Sequence, residues 1–133
     1  EVLIDKLLSI MDKYAVDFTN TFRSLTIDKV EETELVGKED FDLWYQMWSQ
    51  RLTRQNESRE EVSKLMKNNN PSIIPRNYRV EEALDAAVKN SDYTIMDKLL
   101  AVLKNPYDYS KEQEEYVSLP KQSKGPYKTF CGT

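Results

Sequence analysis

Apolar residues recur at steps of three and four along the first 25 positions: Leu3, Leu7, Met11, Tyr14, Phe18, Phe22 and Leu25, with Ile4, Leu8 and Ala15 widening the stripe. Asp5, Lys6, Asp12, Lys13 and Asp17 fall off it, so the spacing predicts one long amphipathic helix over about 2–25. Residues 26–38 read as a polar connection ending near Gly37. A second helix follows, with Phe41, Trp44, Tyr45, Trp48 and Leu52 on one face and Glu39 and Asp40 suited to its N-terminal dipole. Ser58-Arg59-Glu60-Glu61 is a capping-box pattern and opens a short helix carrying Val62, Leu65 and Met66. Asn68-Asn69-Asn70-Pro71 stops it, because proline disfavours helical geometry in the residue before it.

The segment 71–77 should be an ordered extended connection, since Ile73 and Ile74 are too apolar to be left in water. A fourth helix is expected from about Tyr78 to Lys89, with Val80, Ala83, Leu84, Ala87 and Val88 inward. Its alanines permit a close approach of a neighbouring helix. Asn90-Ser91-Asp92 is a turn that also caps the next helix. That fifth helix carries Ile95, Met96, Leu99, Leu100, Val102 and Leu103 and stops at Asn105-Pro106, giving a helical hairpin. From about 109 the pattern fades, and 109–133 reads as an extended tail with at most a brief helical turn near 111–116. The fold class is therefore all-α: a bundle of about five helices over 1–108, including the hairpin, followed by a tail. No internal repeat is present.

Composition agrees with that class. The chain has 133 residues, enough for a real core, only 3 glycines, and 32% charged residues. A net charge of −4 with acids and bases interleaved argues against a nucleic-acid binder, which would show a basic face. No apolar run approaches the roughly 20 residues needed to span a bilayer. One cysteine excludes an internal disulfide framework and fits a reducing compartment. The chain starts Glu1-Val2-Leu3 and enters a helical pattern at once, so a piece of a longer protein is expected.

Recognisable chemistry is sparse. There is no histidine, which removes Ser-His-Asp and Cys-His arrangements and the usual zinc sites. Neither GxGxxG nor GxxxxGK[ST] occurs, so the standard phosphate cradles are missing. The acidic pairs Glu31-Glu32, Glu60-Glu61, Glu81-Glu82 and Glu114-Glu115 fit helix starts and solvent faces better than a shared acid–base pocket. Trp44, Tyr45 and Trp48 could stack on a ligand or take a cation–π contact from Arg51 or Arg54, but their spacing is that of a helix packing into a core. Between two prolines and a helix start, Arg76 could bridge a carboxylate or bind helix-end carbonyls, and Asn77 could be an N-cap. Cys131, next to the end, is either a thiol open to oxidation or an incidental one.

The most specific stretch is Asn70-Pro71-Ser72-Ile73-Ile74-Pro75-Arg76-Asn77-Tyr78. With the helix Val80-Glu81-Glu82-Ala83-Leu84-Asp85-Ala86-Ala87, then Asp92, Leu99-Leu100-Ala101-Val102-Leu103, Asn105-Pro106-Tyr107, Tyr116, Pro120 and Cys131, it resembles the C-terminal end of the selenoprotein O family, also called YdiU. The resemblance is good over about 70–133 and weaker but compatible over 1–69.

That resemblance implies a parent with a protein-kinase-like fold that transfers AMP from ATP to protein Ser, Thr or Tyr hydroxyls, using Mg or Mn. It places the nucleotide- and metal-binding residues upstream, so no catalytic, cofactor-binding or metal-binding residue carries over to a position here. The implied role of these residues is to support the kinase-like region of the same polypeptide, in the bacterial cytoplasm, with protein substrates belonging to the parent. Asn70, Pro71, Arg76, Asn77, Tyr78, Pro106 and Tyr107 are then structural motif positions. Cys131 matches a terminal-region cysteine or selenocysteine to which the family resemblance attaches a redox role, although Gly132-Thr133 follow it where Ser-Ser is usual, and no partner cysteine is present. The competing expectation is a non-enzymatic helical interaction module.

Overall fold

The computed structural model describes residues 2–119. Among them are seven α-helices, one 3-10 turn and no strand. The chain divides into two compact units, Glu1–Ser72 and Ile73–Thr133. This division differs from the expected helical domain over 1–108 with a tail from 109. The reason lies in residues 109–119: Gln113 is buried, and Tyr116 and Val117 pack against the apolar cluster of the second unit.

In the first unit, the single helix expected over 2–25 is two helices, α1 (Val2–Lys13) and α2 (Phe18–Thr26). The break is a Schellman motif with Ala15 in the left-handed region at φ 51°. The Ala15 N–H donates to the Asp12 carbonyl at 3.1 Å and the Val16 N–H to that of Met11 at 3.2 Å. Asp17 then restarts the helix as N-cap, its carboxylate accepting from the Asn20 N–H at 2.8 Å. Beyond the break the stripe is only partly kept: Phe22 packs on the core and Leu25 is buried, but Phe18 is exposed.

α2 ends in a second motif of the same kind, with Asp28 at φ 58° and the Lys29 N–H bonded to the Ser24 carbonyl at 2.9 Å. The connection that follows holds the 3-10 turn Val30–Glu32 and buries Leu35 completely. Gly37, at φ 84°, makes the left-handed turn into α3 (Glu39–Thr53). α1 packs against α3 around Leu7, Ile10, Met11, Leu25, Leu35, Phe41 and Trp44. The Trp44 indole N–H, buried with its ring, donates to the Leu3 carbonyl at 2.7 Å, so a large polar-tipped side chain enters the core without an unmet donor. α4 (Arg59–Asn69) starts at the expected capping box: the Glu61 N–H reaches Ser58 Oγ at 3.2 Å, and the Ser58 N–H reaches the Glu61 carboxylate at 2.7 Å. It buries no residue fully; Met66 is its contact with the core.

The second unit is the expected hairpin, α5 (Asn77–Asn90) and α6 (Thr94–Leu103), plus the short α7 (Lys111–Glu114). Ile73, Ala83, Leu99 and Val102 form its buried centre, and the small Ala83 and Ala86 let the two helices approach. Two residues expected inward, Leu84 and Val88, face solvent instead, and Leu100 on α6 is exposed as well. A two-helix layer covers only one stripe of each helix, narrower than the apolar arc the sequence offers. Ile74 is also exposed, whereas its neighbour Ile73 is buried. Ser91, in the left-handed region at φ 51°, ends α5, and Asp92, one residue before the N-cap Tyr93, accepts from the Thr94 N–H at 3.0 Å.

Candidate functional site

The Asn70–Tyr78 block contains the boundary between the two units. Asn70 is the C-cap of α4, its N–H bonded to the Met66 carbonyl at 2.8 Å and its side chain reaching Thr26 Oγ1 at 3.5 Å. Pro71 follows it, half-buried. Arg76, not Asn77, occupies the N-cap position of α5, in extended geometry and without a side-chain capping bond; Asn77 is the first helical residue and is exposed. The physical reason is local: the Arg76 carbonyl already accepts from the Val80 N–H at 3.1 Å, so the helix begins one residue earlier than an Asn77 cap would require.

Tyr78 belongs to a clamp that the motif reading did not contain, centred on Arg79. The Arg79 guanidinium lies 5.4 Å from the Tyr78 ring centroid and 5.1 Å from that of Tyr116. It donates to the Glu115 carbonyl at 2.8 Å and to the Glu82 carboxylate at 3.3 Å. The Tyr78 hydroxyl donates to the Ser118 carbonyl. Two adjacent side chains at the start of α5 therefore fix residues 115–118. Partial burial, with the Glu115 charge nearby, raises the Tyr116 phenol above its usual range. No pattern signal marks the clamp, because the Glu115 and Ser118 partners of Arg79 are 36 and 39 positions away.

Pro106 and Tyr107 form the β-turn after α6, closed by the Asp108 N–H on the Asn105 carbonyl at 3.1 Å, with proline at the position its fixed φ suits. Tyr107 is exposed. The Asn105 carbonyl also accepts from the buried Gln113 side chain at 3.3 Å. Cys131, Pro120, Tyr127 and Phe130 lie outside the described residues.

In the first unit, Trp44 and Trp48 stack with centroids 5.8 Å apart, and Phe41 and Tyr45 extend the row. Phe41 and Trp44 are buried, so the aromatic helix is core, as its spacing suggests. The cation–π contacts fall elsewhere, on Tyr14 from Lys13 and Lys38, and in the Arg79 clamp. Between α1, α3 and α4 runs an apolar groove of about 390 Å³ bordered by Ile4, Phe22, Trp48, Leu52 and Met66. At the α1–α3 seam, Lys13 Nζ meets the Asp40 carboxylate at 2.7 Å and the Tyr14 hydroxyl meets it at 3.0 Å. The Lys13 bond holds the Asp40 carboxyl below the usual carboxylate range.

Among the described residues no group of three or more His, Cys, Asp or Glu side chains converges on a metal position. The clamp's guanidinium is already engaged by carbonyl, carboxylate and rings, and the groove is apolar. The site chemistry is that of packing and anchoring. No described helix is long and apolar enough to cross a membrane.

Comparison with known proteins shows the family. A sequence model of the family described as protein adenylyltransferase SelO matches residues 1–104, so the likeness reaches well into the half where the motifs were weaker. A protein nucleotidyltransferase YdiU of Clostridium botulinum (strain Hall) is 59% identical over 133 residues, all of this chain and 27% of the relative. The protein of the same name from Clostridium botulinum (strain Loch Maree) is 60% identical over the same span. That of Bacillus cereus (strain ATCC 14579) is 58% identical over 131 residues, 98% of this chain and 27% of the relative. The chain thus spans about a quarter of the length of the curated relatives it matches. With identity sustained over the whole chain and a family match across most of it, this chain belongs to the protein adenylyltransferase SelO family.

Proposed function

We propose that these 133 residues are the helical, non-catalytic C-terminal portion of a bacterial, cytoplasmic protein adenylyltransferase. The parent transfers AMP from ATP to Ser, Thr or Tyr hydroxyls of protein substrates, with release of pyrophosphate. Its kinase-like region, elsewhere in the polypeptide, holds the nucleotide and Mg or Mn. One observation carries the reading: relatives named nucleotidyltransferases align with this chain over all its length but use only 27% of theirs for it. The residue chemistry supports it, since the sequence contains no histidine and no glycine-rich phosphate loop, and the best-built polar cluster is an anchoring clamp.

The test is a transfer assay with α-labelled ATP and Mg or Mn. The full-length parent should label an added protein substrate, and the 133-residue chain should label neither itself nor the substrate. Labelling by the short chain would overturn the division of labour. The exposed apolar side chains would equally suit a free-standing interaction module; a full-length gene product lacking transfer activity altogether would favour that reading.

A further inference from the structure

α1 is apolar around more of its circumference than the first unit covers. Seven of its residues are apolar, Val2, Leu3, Ile4, Leu7, Leu8, Ile10 and Met11, yet the fully buried ones are Leu7, Ile10 and Met11. Val2, Ile4 and Leu8 stay exposed at the edges of its apolar face, while Asp5, Lys6, Ser9, Asp12 and Lys13 make up its polar face. α3 repeats the imbalance. Its core face is Phe41 and Trp44, but Leu43 and Met47, one helical turn apart, form a second stripe at 55% and 39% exposure. With Val2, 67% exposed, they border a groove of about 520 Å³ between α1 and α3 whose wall includes Trp44. The rim carries Asp5, Lys6, Ser9 and Asp40, the last already paired with Lys13, around a floor of Val2, Ile10, Leu43, Trp44 and Met47 that suits an apolar occupant. Apolar surface ringed by polar groups is the mark of an interaction site.

The relatives indicate the occupant. Each extends nearly three quarters of its length beyond the part this chain matches. A segment tethered in the same polypeptide presents itself at an effective concentration of roughly millimolar, well above that of a second copy in solution. We infer that the Val2–Leu43–Met47 groove between α1 and α3 is the face on which an apolar segment of the parent polypeptide, lying outside these 133 residues, docks. This rests on the reading of the chain as part of a longer adenylyltransferase, but its test does not use transfer activity, so the two can fail separately.

The experiment is peroxide oxidation of the folded full-length parent, read at Met47 by mass spectrometry, with the denaturant-unfolded parent as reference. Covered by a docked segment, Met47 should oxidise at least about tenfold more slowly than in the reference. Left as open as it is here, it should oxidise within about threefold of it. In parallel, L43E/M47K in the full-length parent should lower Tm by about 4 °C or more, whereas the control pair Q46E/T53K, exposed on the polar side of α3 turned away from Met47, should leave it within about 1 °C. Should L43E/M47K prevent folding, Leu43→Ala gives the milder version of the same comparison. Fast oxidation of Met47 overturns the proposal, as does a variant pair no more harmful than its control. Protection that disappears when a dimeric parent is diluted to monomer also overturns it, and assigns the groove to a second copy.

Discussion

At the scale of single residues, the second unit depends on Arg79 more than its sequence neighbourhood suggests. Its fork engages the Glu115 carbonyl and the Glu82 carboxylate while its plane lies near two tyrosine rings, so lysine cannot replace it. Arg79→Lys should cost about 1–2 kcal/mol, seen as faster amide exchange confined to 111–118. Unchanged protection there would mean that Tyr116 and Val117 hold the segment by apolar packing alone. Asp40 provides a pH signature in the first unit. Its carboxyl is lowered by the bond to Lys13, so the stability it contributes is complete above about pH 4 and is lost as pH falls through the lowered folded value. Asp40→Asn should flatten the acid limb of the Tm–pH curve and leave the region from pH 5 to 8 with a constant offset. An acid limb of unchanged steepness would assign it to the other lowered carboxyls, Glu61, Asp92 and Glu112.

At the scale of elements, helix ends are where this chain departs from its own hydrophobic pattern. Ala15 and Asp28 occupy the left-handed position of Schellman motifs that glycine usually fills, and Ser91 sits in the same conformation after α5. Ala15→Gly removes the Cβ penalty at that position and should raise stability by about 0.5–1 kcal/mol in denaturant melts. A loss would show that the entropy gained by the unfolded chain outweighs the relief. The restart of α2 rests on Asp17; Asp17→Ala should cost about 1 kcal/mol and loosen exchange protection in the first turn of α2. The capping box at Ser58 was readable because its chemistry is contained within four residues. The motif at Ala15 was not, since nothing in an alanine announces a left-handed backbone.

At the scale of the molecule, the proposed role is support, which predicts a specific kind of loss. Trp44→Ala empties the centre of the first unit's core and strands the Leu3 carbonyl contact; about 3–5 kcal/mol should go with it. In the full-length parent this should appear as lower Tm and less folded protein, while kcat/KM per folded molecule stays within about twofold. A large fall in kcat at a temperature where the variant remains folded would place this region in the catalytic machinery. By itself the sequence determined the helical class, the hairpin of α5 and α6, the capping box, the burial of Phe41 and Trp44, and the family. Each of these rests on spacing within one element or on residue identity along the chain, which periodicity and motif carry in full. Tertiary structure alone decided the break of the first helix at Ala15, the complete burial of Leu35, the exposure of Leu84, Val88 and Leu100, and the inclusion of 109–119 in the second unit. It also decided that Arg79, and not Asn77, is the working residue at the start of α5. These depend on which neighbour covers a face and on bonds spanning dozens of residues. A linear pattern states that a surface is apolar or that a side chain can donate, but not what lies opposite it.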